Sequence, residues 1–195
     1  MDKWLKETTL ESDNVRLVPI NESFRDQLIE AAADGELWNL WYTSVPSEQS
    51  IDLYIRQAVN DMKSGLALPF VVIDKKNHRV VGATRYCHAA PSHRRVEIGY
   101  TWYSKSVQRS SINTECKQLL LTHAFETLNA IAVEFRTHWH NHASRNAITR
   151  LGAKQDGVLR NHWVNDEGEL RDTVVFSIIA CEWSTVKKSL QYRLM

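Results

Sequence analysis

Apolar positions along the chain recur in two periods, and the switches between them mark out the elements. Val15-Arg16-Leu17-Val18-Pro19 alternates as a short strand closed by proline. Phe24, Leu28, Ile29 and Ala32 then fall at helical spacing behind Asn21 or Ser23 as the cap, and Gly35 ends that helix. Leu37-Trp38-Asn39-Leu40-Trp41-Tyr42 is an aromatic patch without a clear period. Pro46-Ser47-Glu48 opens a second helix with Ile51, Tyr54, Ile55, Val59 and Met62 on one face, ending near Gly65.

Strand patterns follow. Leu68–Asp74 is apolar and β-branched, Lys75-Lys76-Asn77-His78 turns, and residues 79–86 return antiparallel. After the loop Pro91-Ser92-His93 comes a strand over 95–102. Cys116, Leu119, Leu120, Ala124, Phe125 and Leu128 make one stripe of a long helix over 114–128. A strand over 131–137 leads to a shorter helix, opened by Asn141 or Ala143, bearing Ala147, Ile148 and Leu151 and stopped by Gly152. Residues 157–164 and Leu170–Ile179 form a last hairpin around Asn165-Asp166-Glu167-Gly168, and a helix from Ser184 closes the chain. No repeat, low-complexity tract or linker interrupts this order. It predicts an α+β fold, a central mixed and mostly antiparallel sheet of about seven strands flanked by helices, with residues 1–195 in a single domain.

Composition narrows the function classes. The 24 basic and 23 acidic residues leave a net charge of +1, which gives no electrostatic footprint for nucleic acid. No run approaches the ~18 apolar residues of a membrane span, and the start Met1-Asp2-Lys3-Trp4-Leu5-Lys6-Glu7 is too charged for a signal peptide. Cys87, Cys116 and Cys181 are few and widely spaced, which suits a reducing cytoplasm. Seven tryptophans are many for this length, so several must line either the core or a pocket.

The chemistry concentrates around Glu97-Ile98-Gly99-Tyr100-Thr101-Trp102-Tyr103 and the loop that follows it. Residues Gln108, Arg109, Ser110, Ser111, Ile112, Asn113 and Thr114 lead into the long helix, where orphan N–H donors and the helix dipole together favour a phosphate. We read this stretch as the holder of the pyrophosphate of a CoA thioester. Taken alone, it reads more readily as a surface loop before an amphipathic helix, and the surrounding motifs reverse that order.

Three local motifs and the order of elements resemble the GNAT superfamily of N-acetyltransferases, and within it the RimJ/RimL-like branch. They are Val80-Val81-Gly82-Ala83, Glu97-Ile98-Gly99-Tyr100, and the loop and helix from Gln108 to Leu128. Asn141-x-x-Ser144-Arg145, Leu151-Gly152-Ala153, and Leu159-Arg160 through Arg171-Asp172 extend the likeness over about residues 10–185. One departure stands out: the family's pyrophosphate loop carries small residues where this chain has Ser111 and Asn113. If those positions required the left-handed conformation, the cost would be of order 1–2 kcal/mol.

The resemblance implies acetyl-CoA as co-substrate, no metal, and direct attack of an amine on the thioester in a ternary complex. The acceptor would be a protein or peptide N-terminus or a small aminoacyl compound, and the protein a monomer or homodimer. Glu97 would take the amine proton, directly or through water; otherwise it is a surface glutamate balancing Arg94 or Arg95. Ser144 would protonate the leaving thiolate, or merely cap its helix. Asn141 would bind the pantetheine amides, and backbone N–H groups near Trp102 and Tyr103 the thioester oxygen. Trp38, Trp41 and Tyr42 would wall the acceptor pocket, with Arg85, His162 and Trp163 beside them and His162 as a second base candidate. His138, His140 and His142 share a face of an extended segment, as metal ligands do, but they run off a strand into a helix cap without a carboxylate or cysteine nearby. Ser111 and Asn113 motivate an alternative: a GNAT-like CoA- or ligand-binding sensor with little catalysis.

Overall fold

The computed structural model describes residues 3–165 and 167–195. The first two residues and Asp166, within the last hairpin turn, lie outside the described residues. The elements are β1 (Leu10–Glu11), β2 (Val15–Pro19), α1 (Arg25–Ala33), α2 (Ile51–Ser64), β3 (Leu68–Asp74), β4 (Arg79–Ala90), β5 (Arg95–Tyr103), α3 (Ile112–Thr122), β6 (Ala132–His138), α4 (His142–Arg150), β7 (Lys154–Val164), β8 (Leu170–Ile179) and α5 (Trp183–Tyr192). They build one sheet in the order β1-β2-β3-β4-β5-β6-β8-β7, in which only β5 and β6 run parallel. The sheet has eight strands rather than about seven, because Leu10 and Glu11 pair with Leu17 and Arg16. Two residues are too short a run to show a period.

Local chemistry explains the boundaries. Asn21 Oδ1 accepts from Ser23 N–H at the entrance to the first helical turn, and Asn141 Oδ1 accepts from Ser144 N–H at the start of α4. Gly65 closes α2 at φ 77°, where a side chain would be strained. The helix read over 114–128 starts two residues earlier and widens into a π-turn over His123–Thr127. There Tyr86 Oη donates to the Leu120 carbonyl.

The sheet separates two apolar layers. On one face Val96, Ile98, Val133, Phe135, Val174, Phe176 and Ile178 pack against α3, α4 and α5 through Leu120, Leu121, Ile148, Trp183 and Leu190. On the other, α1 and α2 bury Leu28, Ala32, Ile51, Ile55 and Ala58 against Val71, Val80, Ala83 and Trp102. That second layer lies over β3 and β4. Farther along the same face, Glu134, Arg136 and Arg171 of β6 and β8 remain only partly buried. Alternation of side chains along each strand puts them there, on the side opposite Val133, Phe135 and Val174.

Candidate active site

Two irregularities open the middle of the sheet. β5 and β6 pair only at Arg95–Ala132, Val96–Val133 and Glu97–Glu134. Beyond Glu97 β6 continues along β8 and β5 along β4, so the two strands part and leave facing edges unpaired. On β4 the register advances two residues, from Ala83 to Arg85, while on β5 it advances three, from Trp102 to Gly99. The extra residue is a bulge, and Tyr100 within it is held at φ 51°. A left-handed tyrosine is uncommon and costs free energy that the surrounding pairing must supply.

The alternation of strand hydrogen bonds decides which backbone groups face this opening. Ser104 N–H donates to the Val81 carbonyl at 2.8 Å, and the Trp102 carbonyl points at Gly82 so closely that a Cβ there would sit 2.2 Å from it. Trp102 and Ser104 therefore turn their polar groups to β4, and Tyr103 turns its own to the opening. Of the two residues expected to bind a thioester oxygen, Tyr103 is the one whose N–H faces the gap. Its carbonyl accepts from Gln108 Nε2 at 2.9 Å.

The loop after β5 is fixed at both ends. Ser104 Oγ donates to the Ala31 carbonyl and Lys105 N–H to the Asp34 carbonyl, tying the loop's start to the end of α1. At its other end Glu115 accepts from Ser111 Oγ, Ser12 Oγ and Asn14 Nδ2 at 2.8, 2.8 and 3.0 Å. The first intrahelical bond of α3 runs from Glu115 N–H to the Ser111 carbonyl. Asn113 and Thr114 N–H precede it and stand ready for an anion. The expected strain at Ser111 and Asn113 is corrected here. Ser111 sits at φ −69° and Asn113 inside the helix, and the left-handed residue of the loop is Arg109 at φ 66°.

Glu97 occupies the fork where β5 and β6 part. It is only 6% exposed, so it is not a surface residue balancing Arg94 or Arg95. His88 Nδ1 lies 2.9 Å from its Oε2 and Arg136 Nε 3.4 Å away. Gly99 keeps the space beside it open, since a Cβ there would stand 3.0 Å from Glu97 Oε1 and 3.2 Å from Cys87 Sγ. The hydrogen bond to Glu97 holds the His88 imidazole above its ordinary pKa, although burial opposes this. Burial alone would raise Glu134, but Arg95 and Arg136 together hold it below the usual carboxylate range.

The other expected residues divide. Arg85 is buried under the rings of Tyr100, 4.1 Å from its guanidinium carbon, and Tyr54, at 5.3 Å, with Asp61 3.8 Å away. Tyr42 and Trp41 meet at 5.5 Å, and Trp41 lies 4.8 Å from the His138 ring at the end of β6. Trp38 instead packs against the α1–α2 core. His162 Nδ1 is engaged with Thr173 Oγ1 at 3.1 Å, and burial with the charges of Arg136 and Arg171 depresses its pKa. Trp163 is exposed on β7. A cleft of about 520 Å³ lies between Trp41 and the hairpin residues Asn165, Glu167 and Glu169, apart from the Glu97 fork.

His138, His140 and His142 do not converge. His138 Nδ1 accepts from His140 N–H, and the two rings lie 5.6 Å apart beside Trp41. Among the described residues, the group whose ligand atoms lie within 4.8 Å of one another is Cys87, His88 and Glu97. Arg136 already supplies a cation beside that carboxylate, and burial pushes the Cys87 thiol well up. Sequence reasoning missed His88, Arg136 and Lys117, and it named Tyr100 and Arg171 only as parts of motifs. The Lys117 ammonium is buried on α3 and bonded to Thr101 Oγ1 at 2.6 Å and Thr84 Oγ1 at 3.3 Å. Only the odd placement of a lysine in an apolar stripe signals it.

A family model described as the GNAT acetyltransferase domain matches residues 14–154. A relative from Bacillus subtilis, named "Putative ribosomal N-acetyltransferase YdaF", is 34% identical over 95 residues, 48% of this chain and 50% of its own length. The chain thus spans about half the length of that curated relative. The crystal structure of a GCN5-related N-acetyltransferase from Brucella melitensis superposes with a TM-score of 0.86 at 28% identity, over 98% of this chain and 87% of that one. Mycobacterium smegmatis RimJ, solved in complex with CoA-disulfide, shares the fold at a TM-score of 0.80 and 20% identity, over 96% of this chain and 95% of its own.

Proposed function

Because the chain belongs to the GNAT acetyltransferase family, we propose that it falls in the RimJ/RimL-like branch and transfers an acetyl group from acetyl-CoA directly to an amine. The observation that carries the reading is the parting of β5 from β6 with Glu97 at the fork. An extended pantetheine arm fits against the unpaired edge of β5 as an added strand would. The pyrophosphate then meets Asn113 and Thr114 N–H at the start of α3, and the thioester oxygen meets Tyr103 N–H. Asn141 and Ser144, at the start of α4, follow β6, the strand on the far side of the gap.

In this scheme the acceptor and acetyl-CoA are held together, and proximity supplies much of the rate. Glu97 receives the amine proton, the nitrogen adds to the thioester carbon, and the C–S bond of the tetrahedral intermediate breaks. The departing thiolate takes a proton from Ser144 Oγ as that hydroxyl takes one from solvent, and Glu97 releases its proton to solvent afterwards. An α-amino group of pKa ~7.7–8.0 needs only such a carboxylate. The acceptor is a protein or peptide N-terminus, a reading supported by the Bacillus subtilis relative's name as a putative ribosomal N-acetyltransferase, or a small aminoacyl compound.

Incubation with acetyl-CoA and an amine library, followed by thiol release, tests the proposal. Turnover that falls in Glu97→Gln supports it, and no turnover on any amine despite measured cofactor binding refutes it. One observation favours the sensor alternative: Gln108 Nε2 holds the Tyr103 carbonyl on the edge where pantetheine would pair. Calorimetry separates the two, since a dissociation constant far above micromolar means that this edge stays closed.

A further inference from the structure

On the open face beyond α2, positive charge outweighs what its carboxylates neutralise. Arg136 Nε is buried without a hydrogen-bond partner, and its nearest carboxylate oxygen there is Glu97 Oε2 at 3.4 Å. Glu134 takes the other arm of Arg136 at 3.0 Å but also pairs with Arg95. Arg171 of β8 is the more exceptional. Its Nε is likewise buried and unpartnered, and among the described residues no carboxylate lies within ion-pair distance of its guanidinium. By contrast its neighbour Asp172 is occupied, with Arg160 and the Asn161 N–H.

Arg171 and the fork lie on one face of the sheet. Strand alternation places Arg171 on the side of Thr173, whose hydroxyl meets His162, and opposite the core residues Val174 and Phe176. The Arg171 charge acts on His138 and His162, and Glu97 and Tyr100 act on Arg171 in turn. Leaving a buried donor unpaired is costly, and the half-buried Arg171 side chain, whose Nε is such a donor, is open to a partner from outside. Arginine's fixed fork of donors suits an oxyanion of planar or tetrahedral shape.

We propose that Arg171, on the same sheet face as Arg136, is an anion-binding subsite of the acceptor pocket, so that the preferred acceptor is an amine carrying its own carboxylate or phosphate. This deepens the acetyl-transfer reading and rests on it. The amine sits at Glu97 while the anionic end of the same molecule meets the guanidinium. A strongly basic peptide N-terminus fits this floor poorly, because it brings cations toward Arg136 and Arg171.

The test compares matched acceptors with acetyl-CoA: phenylalanine against phenylalaninamide for a carboxylate, O-phosphoethanolamine against ethanolamine for a phosphate, and a lysine-rich peptide. The expected result is a kcat/KM at least about tenfold higher for one anionic member, expressed mainly in KM. Arg171→Gln should collapse that ratio toward one and Arg171→Lys restore part of it, with thermal unfolding checking that both variants fold. Equal turnover of charged and neutral members, or an Arg171→Gln loss shared equally by both, overturns the subsite. Should no amine react, acetyl transfer has failed instead, and calorimetry with N-acetylphenylalanine against its amide on the CoA complex decides the subsite. Tighter binding of the acid supports it; equal or absent binding overturns it.

Discussion

The two faces of β5, β6 and β8 share a backbone and differ in almost everything else. Toward α3, α4 and α5 the strands present Val96, Ile98, Val133, Phe135, Val174, Phe176 and Ile178, all nearly or fully buried. Toward the open side the same strands present Glu97, Glu134 and Arg136, tied by ion pairs and a His–Glu contact, and beyond them His138, Arg171 and Thr173. A period of two lets one stretch of sequence build both. The apolar face supplies free energy in proportion to buried area. The polar face places charges where a reaction can use them, at some cost in stability. Lys117 is the exception, an ammonium set into the apolar side.

That contrast can be broken by substitution. The largest effect belongs to the polar face: Glu97→Gln should lower kcat/KM by about 10²–10⁴, the usual contribution of a positioned base. A loss below threefold on an accepted amine would remove Glu97 from the chemistry. On the apolar face, Leu120→Ala should cost about 2–5 kcal/mol in denaturant unfolding, because Leu120 is fully buried under the sheet. A change well under 1 kcal/mol there would mean that this layer is not where stability resides.

Lys117 tests the exception. Burial lowers its pKa from 10.5 to about 8. Between those values the unfolded chain holds a proton that the folded chain has released, so stability rises with pH across that window. Below pH 8 both states are protonated and the deficit is constant, on the order of 3 kcal/mol. Lys117→Met should therefore be the more stable protein near neutrality and should lack the rise toward pH 10.5. The Thr84 and Thr101 hydroxyls keep each other as partners at 2.8 Å. If parent and variant track each other across pH 8–10.5, the lysine is not buried as described.

Smaller effects sharpen the picture. In the parent, the His88 imidazole should titrate above 6.5 by NMR, and Glu97→Gln should bring it back down. Since the folded value is the raised one, this pair's contribution is complete below the unfolded pKa and fades as pH climbs through the folded pKa. An unmoved His88 shift in Glu97→Gln would deny the contact. Smallest of all, Ser111→Gly should leave the acetyl-CoA dissociation constant within about threefold, because replacing a helix N-cap serine by glycine costs only a few tenths of a kcal/mol. Clear tightening would reinstate the strain that the φ of Ser111 removes.

Much of the fold was legible because each long element carries its own period. The helix faces at Leu28–Ala32 and Ile51–Met62, the hairpin strands and the Asn141 cap all follow from neighbours in sequence. The resemblance supplied Glu97, Ser144 and the loop at Gln108. What sequence did not reveal depends on distant strands. Nothing local marks Tyr100 as a bulge residue, because its φ of 51° is set by how β4 and β5 slip past each other. His88 reaches Glu97 because β4 turns left-handed at His88, φ 49°, where its pairing with β5 also shifts. The two-residue β1 is too short for any period to register. In the pyrophosphate loop the left-handed residue is Arg109, and the condition under which Ser111 and Asn113 would be strained is not met.

Amide hydrogen exchange with and without acetyl-CoA reads out which backbone groups face the gap. Protection is expected at Tyr103, at Asn113 and Thr114, and at the start of α4 around Asn141 to Ser144, with the β3–β4 pairing unchanged. Protection absent from Tyr103 and the α3 N-terminus, or confined to the Trp41 cleft, would contradict this placement of acetyl-CoA.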